Sequence, residues 1–262
     1  MNREPDPSRP AFKDHFSGHA SIYARARPGY PEELFDFLAT LPARRDAAWD
    51  NGTGSGQAAV PLSRRFAKVV ATDASASQVL VAGRGAERGP RLLYAAAAAE
   101  RAPLRDASVD LITVAQALHW FDFPAFFTEV SRVARPGAAL AAWAYGNCRV
   151  TQEVDAAYDR LYGEILGRYW PPERLHIEQG YRTIPVPFPV LPAPAFDMTV
   201  EWDLAAFIAY LETWSAVQRY RKQLDRDPLE SVRASLERAW GDPGTARMVT
   251  WPLTLMTAKV KP

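Results

Sequence analysis

Residues Ala47 to Ala58 read AAWDNGTGSGQA: a short apolar run, an acid, then glycines at 52, 54 and 56. Alternate glycines let the backbone take dihedrals that a side chain forbids, and they let a ligand lie close to the main chain. The stretch therefore predicts a strand that turns into a helix beneath a ligand. Outward from it, short apolar runs alternate with amphipathic stretches, the pattern of a parallel sheet covered by helices. Strands are expected at 47–49, 68–73, 91–95, 109–117 and 138–145. Between them Ala58, Ala59, Leu62 and Phe66, and later Phe126, Phe127, Val130 and Val133, recur at helical spacing and give each connector one apolar face. Right-handed crossovers then make a doubly wound α/β fold.

Beyond Asn147 the pattern changes. Val154, Tyr158, Leu161, Tyr162, Ile165 and Tyr169 predict one helix, and the proline-broken RTIPVPFPVLPAPAF at 182–196 predicts a connector over the surface. Strands at 196–202 and 250–260 complete a mostly parallel, seven-stranded sheet. A helix carrying Phe207, Ile208, Leu211 and Trp214, and another near 228–240, separate these last two strands. Residues 1–12 read as a flexible tail, polar and rich in proline. Residues 13–262 read as a single domain, with an N-terminal cap at 13–45 and helical lid insertions at about 150–195 and 204–245.

Thirty-one basic residues against thirty acidic ones leave a formal charge of +1, so no global field draws nucleic acid or anionic lipid. A small molecule is the expected partner. Cys148 is the single cysteine, which rules out an internal disulfide framework or a multi-thiolate zinc site. His15, His19 and His176 show no ligand spacing, so no metal is expected. The N-terminus lacks the apolar core of a signal peptide, and no run approaches the roughly 18 apolar residues of a membrane span. A cytoplasmic protein is the expectation; oligomeric state is not legible.

The glycine turn has two readings. The dinucleotide fingerprint spaces its glycines G-x-G-x-x-G; counted from Gly52 its third falls on Gln57, and counted from Gly54 its second and third fall on Gly56 and Ala59. Asp50, just before the glycines, would repel a pyrophosphate but suits a cation. S-adenosylmethionine carries an ammonium and a sulfonium, and Asp73, at the end of the second strand, stands where a carboxylate accepts hydrogen bonds from a ribose diol. Against this, either acid could be a helix cap, with Ser75 and Ser77 following Asp73.

Four blocks occur in order: WDNGTGSGQAA, VVATDAS, AAAAERAPLRDASVDLITVAQALHWFD and FFTEVSRVARPGAAL. In that order they resemble the class I S-adenosylmethionine-dependent methyltransferases. YARARPGYP, ALHWFD and YLETWSAVQRYR look like the small-molecule subgroup related to trans-aconitate methyltransferase, and the likeness runs from about residue 12 to 260. The resemblance implies that Asp50, Gly52 and the backbone of Thr53, Gly54 and Gly56 hold the methionyl moiety, while Asp73 and Ala74 meet the ribose. It implies that Ala99 and Glu100 flank adenine, that Gln116 lies under the sulfur, and that Tyr23 or Arg27 nears the cofactor carboxylate. Asn51 and Thr53 depart from the family's turn, which has a hydrophobic residue and often a cysteine there.

A sulfonium is already a strong methyl donor, so the protein mainly aligns the accepting atom and excludes water. A carboxylate acceptor, with a pKa near 4, needs no base. O-methylation of a carboxylic acid is the expected reaction. N- or C-methylation is the alternative and would require a base such as His119; a regulatory S-adenosylmethionine-binding protein without turnover is another. His119, Trp120 and Trp214 are the candidate substrate contacts. Arg25, Arg182, Arg219 and Arg221 are candidates to orient an acid.

Overall fold

The computed structural model describes residues 29–84 and 90–261. Helix α1 (Glu32–Leu38) packs Leu34, Phe35 and Leu38 into the core and leads to strand β1 (Ala47–Asn51). Then follow α2 (Ala59–Ser63), β2 (Lys68–Asp73), α3 (Ala76–Arg84), β3 (Leu92–Ala96), β4 (Val109–Ala115), α4 (Phe123–Val133) and β5 (Ala134–Tyr145). Asp122 caps α4 by accepting from the Ala125 amide at 3.1 Å, and Phe126, Phe127, Val130 and Val133 form its buried stripe. Six of the seven β4 residues are buried, as a strand covered on both faces requires.

The chain continues through α5 (Gln152–Asp159), a π-helical stretch at Arg160–Ile165, a 3₁₀ turn at Gly167–Tyr169 and α6 (Arg174–Glu178). The chain returns through β6 (Val190–Leu191), β7 (Phe196–Trp202), α7 (Leu204–Glu212), α8 (Ser215–Leu224), α9 (Glu230–Trp240) and β8 (Arg247–Lys259). Strand order is β3-β2-β1-β4-β5-β8-β6, with β7 also on β8. The first five strands are parallel, and β8 runs antiparallel beside β5. Two apolar clusters occupy the two faces of the sheet.

The doubly wound architecture is as expected, with local differences. The sheet has eight strands rather than seven, because the proline-rich connector still pairs Val190 and Leu191 with Ala258 and Thr257. Only two residues pair because prolines on either side lack an amide to donate. Strand β4 stops at Ala115, since Gln116 turns to φ +57 and the chain coils into a 3₁₀ turn at Leu118–Trp120. The helix expected through 154–169 breaks into α, π and 3₁₀ parts, and the one carrying Trp214 is two, α7 and α8, with Trp214 at the start of the second. Helix α3, unassigned from sequence, begins just after Asp73.

Candidate active site

Because strand order reverses between β1 and β4, their carboxyl ends open a crevice, and the glycine turn leaves β1 at that point. Gly52 has φ +69, and a Cβ there would meet the Ala117 Cβ at 2.6 Å, so only glycine fits between this turn and the turn after β4. Gly54 also has positive φ, but nothing lies within 4 Å of the place where its Cβ would be. The first glycine makes room for protein; a side chain at the second would meet open space.

Asp50 lies beneath the turn with no solvent exposure. Thr53 donates its hydroxyl to one carboxylate oxygen at 2.6 Å, and Thr113 donates to the other at 2.9 Å. Burial pushes the Asp50 pKa up to about 6 despite these two bonds, with the nearby Asp73 charge adding to the rise. Asp73 accepts the Gly54 amide at 2.9 Å and the Ser75 amide at 2.8 Å. It thus ties the glycine turn to the residue preceding α3; the helix itself is capped by Ser75, whose hydroxyl accepts the Gln78 amide at 3.4 Å, and not by Asp73. Asn51 donates to the Ala99 carbonyl at 3.4 Å and accepts from Thr72 at 3.3 Å, so the polar residue in place of a hydrophobic one tethers the 97–100 loop. Glu100 accepts the Asp122 amide at 3.1 Å. Ala74 is exposed at the end of β2 and Ala99 is buried.

Gln116 bridges to β5: its amide nitrogen donates to the Tyr145 carbonyl at 2.9 Å, and its oxygen accepts the Tyr145 amide at 3.1 Å. Beside it opens a cleft lined among others by Gln116, His119, Trp120, Trp170, Arg174 and Trp214. All three residues expected to contact substrate, His119, Trp120 and Trp214, therefore share one cleft with Gln116. The wall opposite the sheet is aromatic: Trp214 lies 5.4 Å from Trp170 and 5.2 Å from Tyr158, centroid to centroid. His119 is buried, and burial holds its pKa down to about 3, helped by the positive Arg174 and by His176.

Sequence reasoning passed over Arg174, the arginine that lines the cleft. Its guanidinium lies 4.6 Å from the Trp170 ring centroid and 5.4 Å from that of Tyr162, and its Nε donates to the Tyr162 hydroxyl at 3.0 Å. Among the described residues no carboxylate pairs with it. The arginines singled out from sequence are elsewhere: Arg221 pairs with Asp227, Arg219 donates to the Tyr169 carbonyl, and Arg182 is exposed. Thr113 was also missed, although a lone hydroxyl in the apolar VDLITVA run was a usable signal. Tyr23, Arg25 and Arg27 lie outside the described residues. Among the described residues no His, Cys, Asp and Glu group could hold a metal, and no helix is long and apolar enough to cross a membrane.

Comparison with known proteins points to one family. A family model described as a methyltransferase domain matches residues 49–142, from the middle of β1 into β5. A protein of Dictyostelium discoideum put forward as a methyltransferase is 34% identical over 240 residues, covering 90% of each chain. An uncharacterized methyltransferase of Mycobacterium tuberculosis is 35% identical over 221 residues, covering 80% of this chain and 83% of its own. A solved structure from Anaeromyxobacter dehalogenans, put forward as a type II methyltransferase, superposes with a TM-score of 0.84 at 47% identity, covering 90% of this chain and 99% of that one.

Proposed function

Because the chain belongs to the class I S-adenosylmethionine-dependent methyltransferases, we propose that its cleft methylates the carboxylate of a small organic acid on oxygen, with S-adenosylmethionine lying along the glycine turn. In this reading Asp50 receives the ammonium of the methionyl group, and the backbone of Gly52, Thr53, Gly54 and Gly56 lies against it. Asp73 and Ala74 face the ribose, and Ala99 and Glu100 flank adenine. The Gln116 amide is already bonded to Tyr145, so Gln116 supports the sulfur by shape rather than by a new side-chain hydrogen bond. A likeness to the trans-aconitate methyltransferase subgroup and a cytoplasmic setting belong to the same proposal.

The donor set suits that cofactor. Asp50 is a sealed carboxylate with two neutral hydroxyl donors and no cation bonded to it among the described residues, an arrangement short of one positive charge. S-adenosylmethionine, when bound, supplies a methyl on a cationic sulfur that needs no activation by the protein.

Arg174 carries the choice of acceptor. It is a cation without a carboxylate partner among the described residues, in the same cleft as Gln116, with its guanidinium resting against the adjoining rings of Trp170 and Tyr162. Such a fork suits a carboxylate, which it orients through parallel hydrogen bonds. Trp120, Trp170 and Trp214 exclude water and limit the poses the acid can take. No base is required, which agrees with the low basicity of His119.

The test is turnover of methyl-labelled S-adenosylmethionine against panels of carboxylic acids and amines. A methyl ester releases its label as volatile methanol in mild base, and this is the expected outcome. Base-stable label would move the reading to N- or C-methylation. Binding of S-adenosylhomocysteine in a calorimeter without label transfer to any acceptor would indicate a binding protein instead.

A further inference from the structure

His119 and Tyr181 form a pair that the reading above does not use. Tyr181 is buried, and His119 Nδ1 lies 3.3 Å from its hydroxyl. The chain brings the phenol there through two successive left-handed residues, Gly180 at φ +61 and Tyr181 at φ +58. A left-handed non-glycine residue is a costly conformation that the surrounding structure must enforce. Gln116, which also has positive φ, makes the corresponding turn on the strand side of His119. Two such residues thus bracket one imidazole.

The direction of the hydrogen bond follows from what each group can leave unpaired. His119 is the partner of the Tyr181 hydroxyl, and that hydroxyl is kept neutral because burial drives its pKa far above the ordinary range. If Nδ1 donated to the phenol oxygen, the buried O–H proton would be left without an acceptor, a loss of the full desolvation cost of that donor. If the phenol donates to Nδ1, both groups are satisfied. A neutral imidazole accepting at Nδ1 carries its proton on Nε2. His119 lines the cleft whereas Tyr181 is not among the cleft's lining residues, so the ring edge away from Tyr181 is the one that meets the acceptor. Nε2 is also not among the sealed, unpartnered polar atoms of the described structure.

We infer that Tyr181 fixes His119 in the Nε2–H form, and that His119 donates this hydrogen to an oxygen of the methyl acceptor rather than taking a proton from it. Tyr181 is then a positioning residue for His119. The inference rests on the acid-methylating reading and sharpens it: a cleft offering an Arg174 cation and an imidazole N–H selects acceptors that already hold lone pairs, and disfavours those that must lose a proton.

The tautomer is read directly by nitrogen NMR of the full chain labelled at histidine, with His119→Gln identifying the signal. The expected spectrum shows Nδ1 unprotonated and Nε2 protonated, and Tyr181→Phe shifts it toward a mixture. A wild-type spectrum with the proton on Nδ1 overturns the inference whether or not an acceptor is known. In turnover, His119→Gln keeps an N–H donor near the Nε2 position but no base, and retains activity within about tenfold, whereas His119→Ala loses about a hundredfold in kcat/KM. Equal losses in the two variants overturn the donor role, provided both still bind S-adenosylhomocysteine like the wild type. Tyr181→Phe raises the acceptor KM about tenfold and leaves S-adenosylhomocysteine affinity unchanged; a fall in kcat alone contradicts it. If the wild type binds S-adenosylhomocysteine but methylates no acid, the acceptor class fails while the NMR result still decides the tautomer.

Discussion

The two halves of the site are built from different materials. The sheet half, from β1 to Gln116, uses main chain: left-handed glycines, amides donating to Asp73, and a carboxylate sealed beneath the turn. The other half, from Trp170 to Ser215, uses side chains: a guanidinium on two aromatic rings and indoles packed at 5–6 Å. Main-chain geometry is set within a few residues and allows few substitutions. A side-chain wall is assembled from distant segments and permits many. The first half accordingly suits a ligand common to a family, and the second suits one that differs between members.

Gly52→Val puts the largest strain on this comparison. The branched side chain must adopt positive φ and occupy space already filled by Ala117. S-adenosylhomocysteine affinity is expected to fall by more than about a hundredfold in calorimetry, the scale that a few kcal/mol of backbone strain and overpacking implies. Near-native affinity would show that the main chain of this turn does not hold the cofactor.

Arg174→Ala probes the other half. Losing a charge-assisted bond of about 2–3 kcal/mol raises the acceptor KM by roughly 30- to 150-fold. Cofactor affinity should stay within about twofold if the two halves act independently. A matching loss of cofactor binding would mean the halves are one unit.

Those two variants also mark what the sequence made legible. Gly52, Gly54 and Asp50 could be placed at a turn on the sheet edge because one strand–turn–helix pattern dictates their conformation, and Asp73 because it closes the neighbouring strand. The parallel order and most strand positions followed from apolar periodicity in the same way. Arg174 could not be chosen over Arg182, Arg219 and Arg221, since nothing local says which guanidinium acquires ion partners. That was decided by how each segment turned: the chain past α8 brought Asp227 back to Arg221, while Arg174 met the faces of Trp170 and Tyr162. The two-residue β6 was equally hidden, because its pairing depends on β8 from the far end of the chain.

A pH series sharpens the sheet half further. Asp50 has its folded pKa raised from 3.8 to about 6. With a raised carboxylate pKa, the stabilising contribution to the ligand-free fold is present below 3.8 and is lost as pH rises through about 6. Cofactor binding has the opposite sign, because the ammonium requires the carboxylate. Affinity for S-adenosylhomocysteine should therefore be level above about pH 7 and weaken about tenfold by about pH 5. Asp50→Asn should remove this slope and weaken binding at every pH. A slope that persists in the variant would assign the titration to another group.

Asn51→Val gives the smallest expected change and separates scaffold from contact within the sheet half. It restores the hydrophobic residue usual at this place in the turn. It also removes the acceptor of the Thr72 hydroxyl and the donor to the Ala99 carbonyl, both long bonds at 3.3 and 3.4 Å. Thr72 keeps its bond from the Trp49 indole at 2.8 Å, so its oxygen stays paired and only its hydrogen is stranded. The stability cost is about 1–2 kcal/mol, readable as a lowered denaturation midpoint with an unchanged slope. If the 97–100 loop only flanks adenine, cofactor affinity should fall no more than about threefold, since a loosened loop loses order rather than a contact. A loss as large as that of Gly52→Val would instead mean that a side-chain tether, and not the main chain alone, shapes this half of the site.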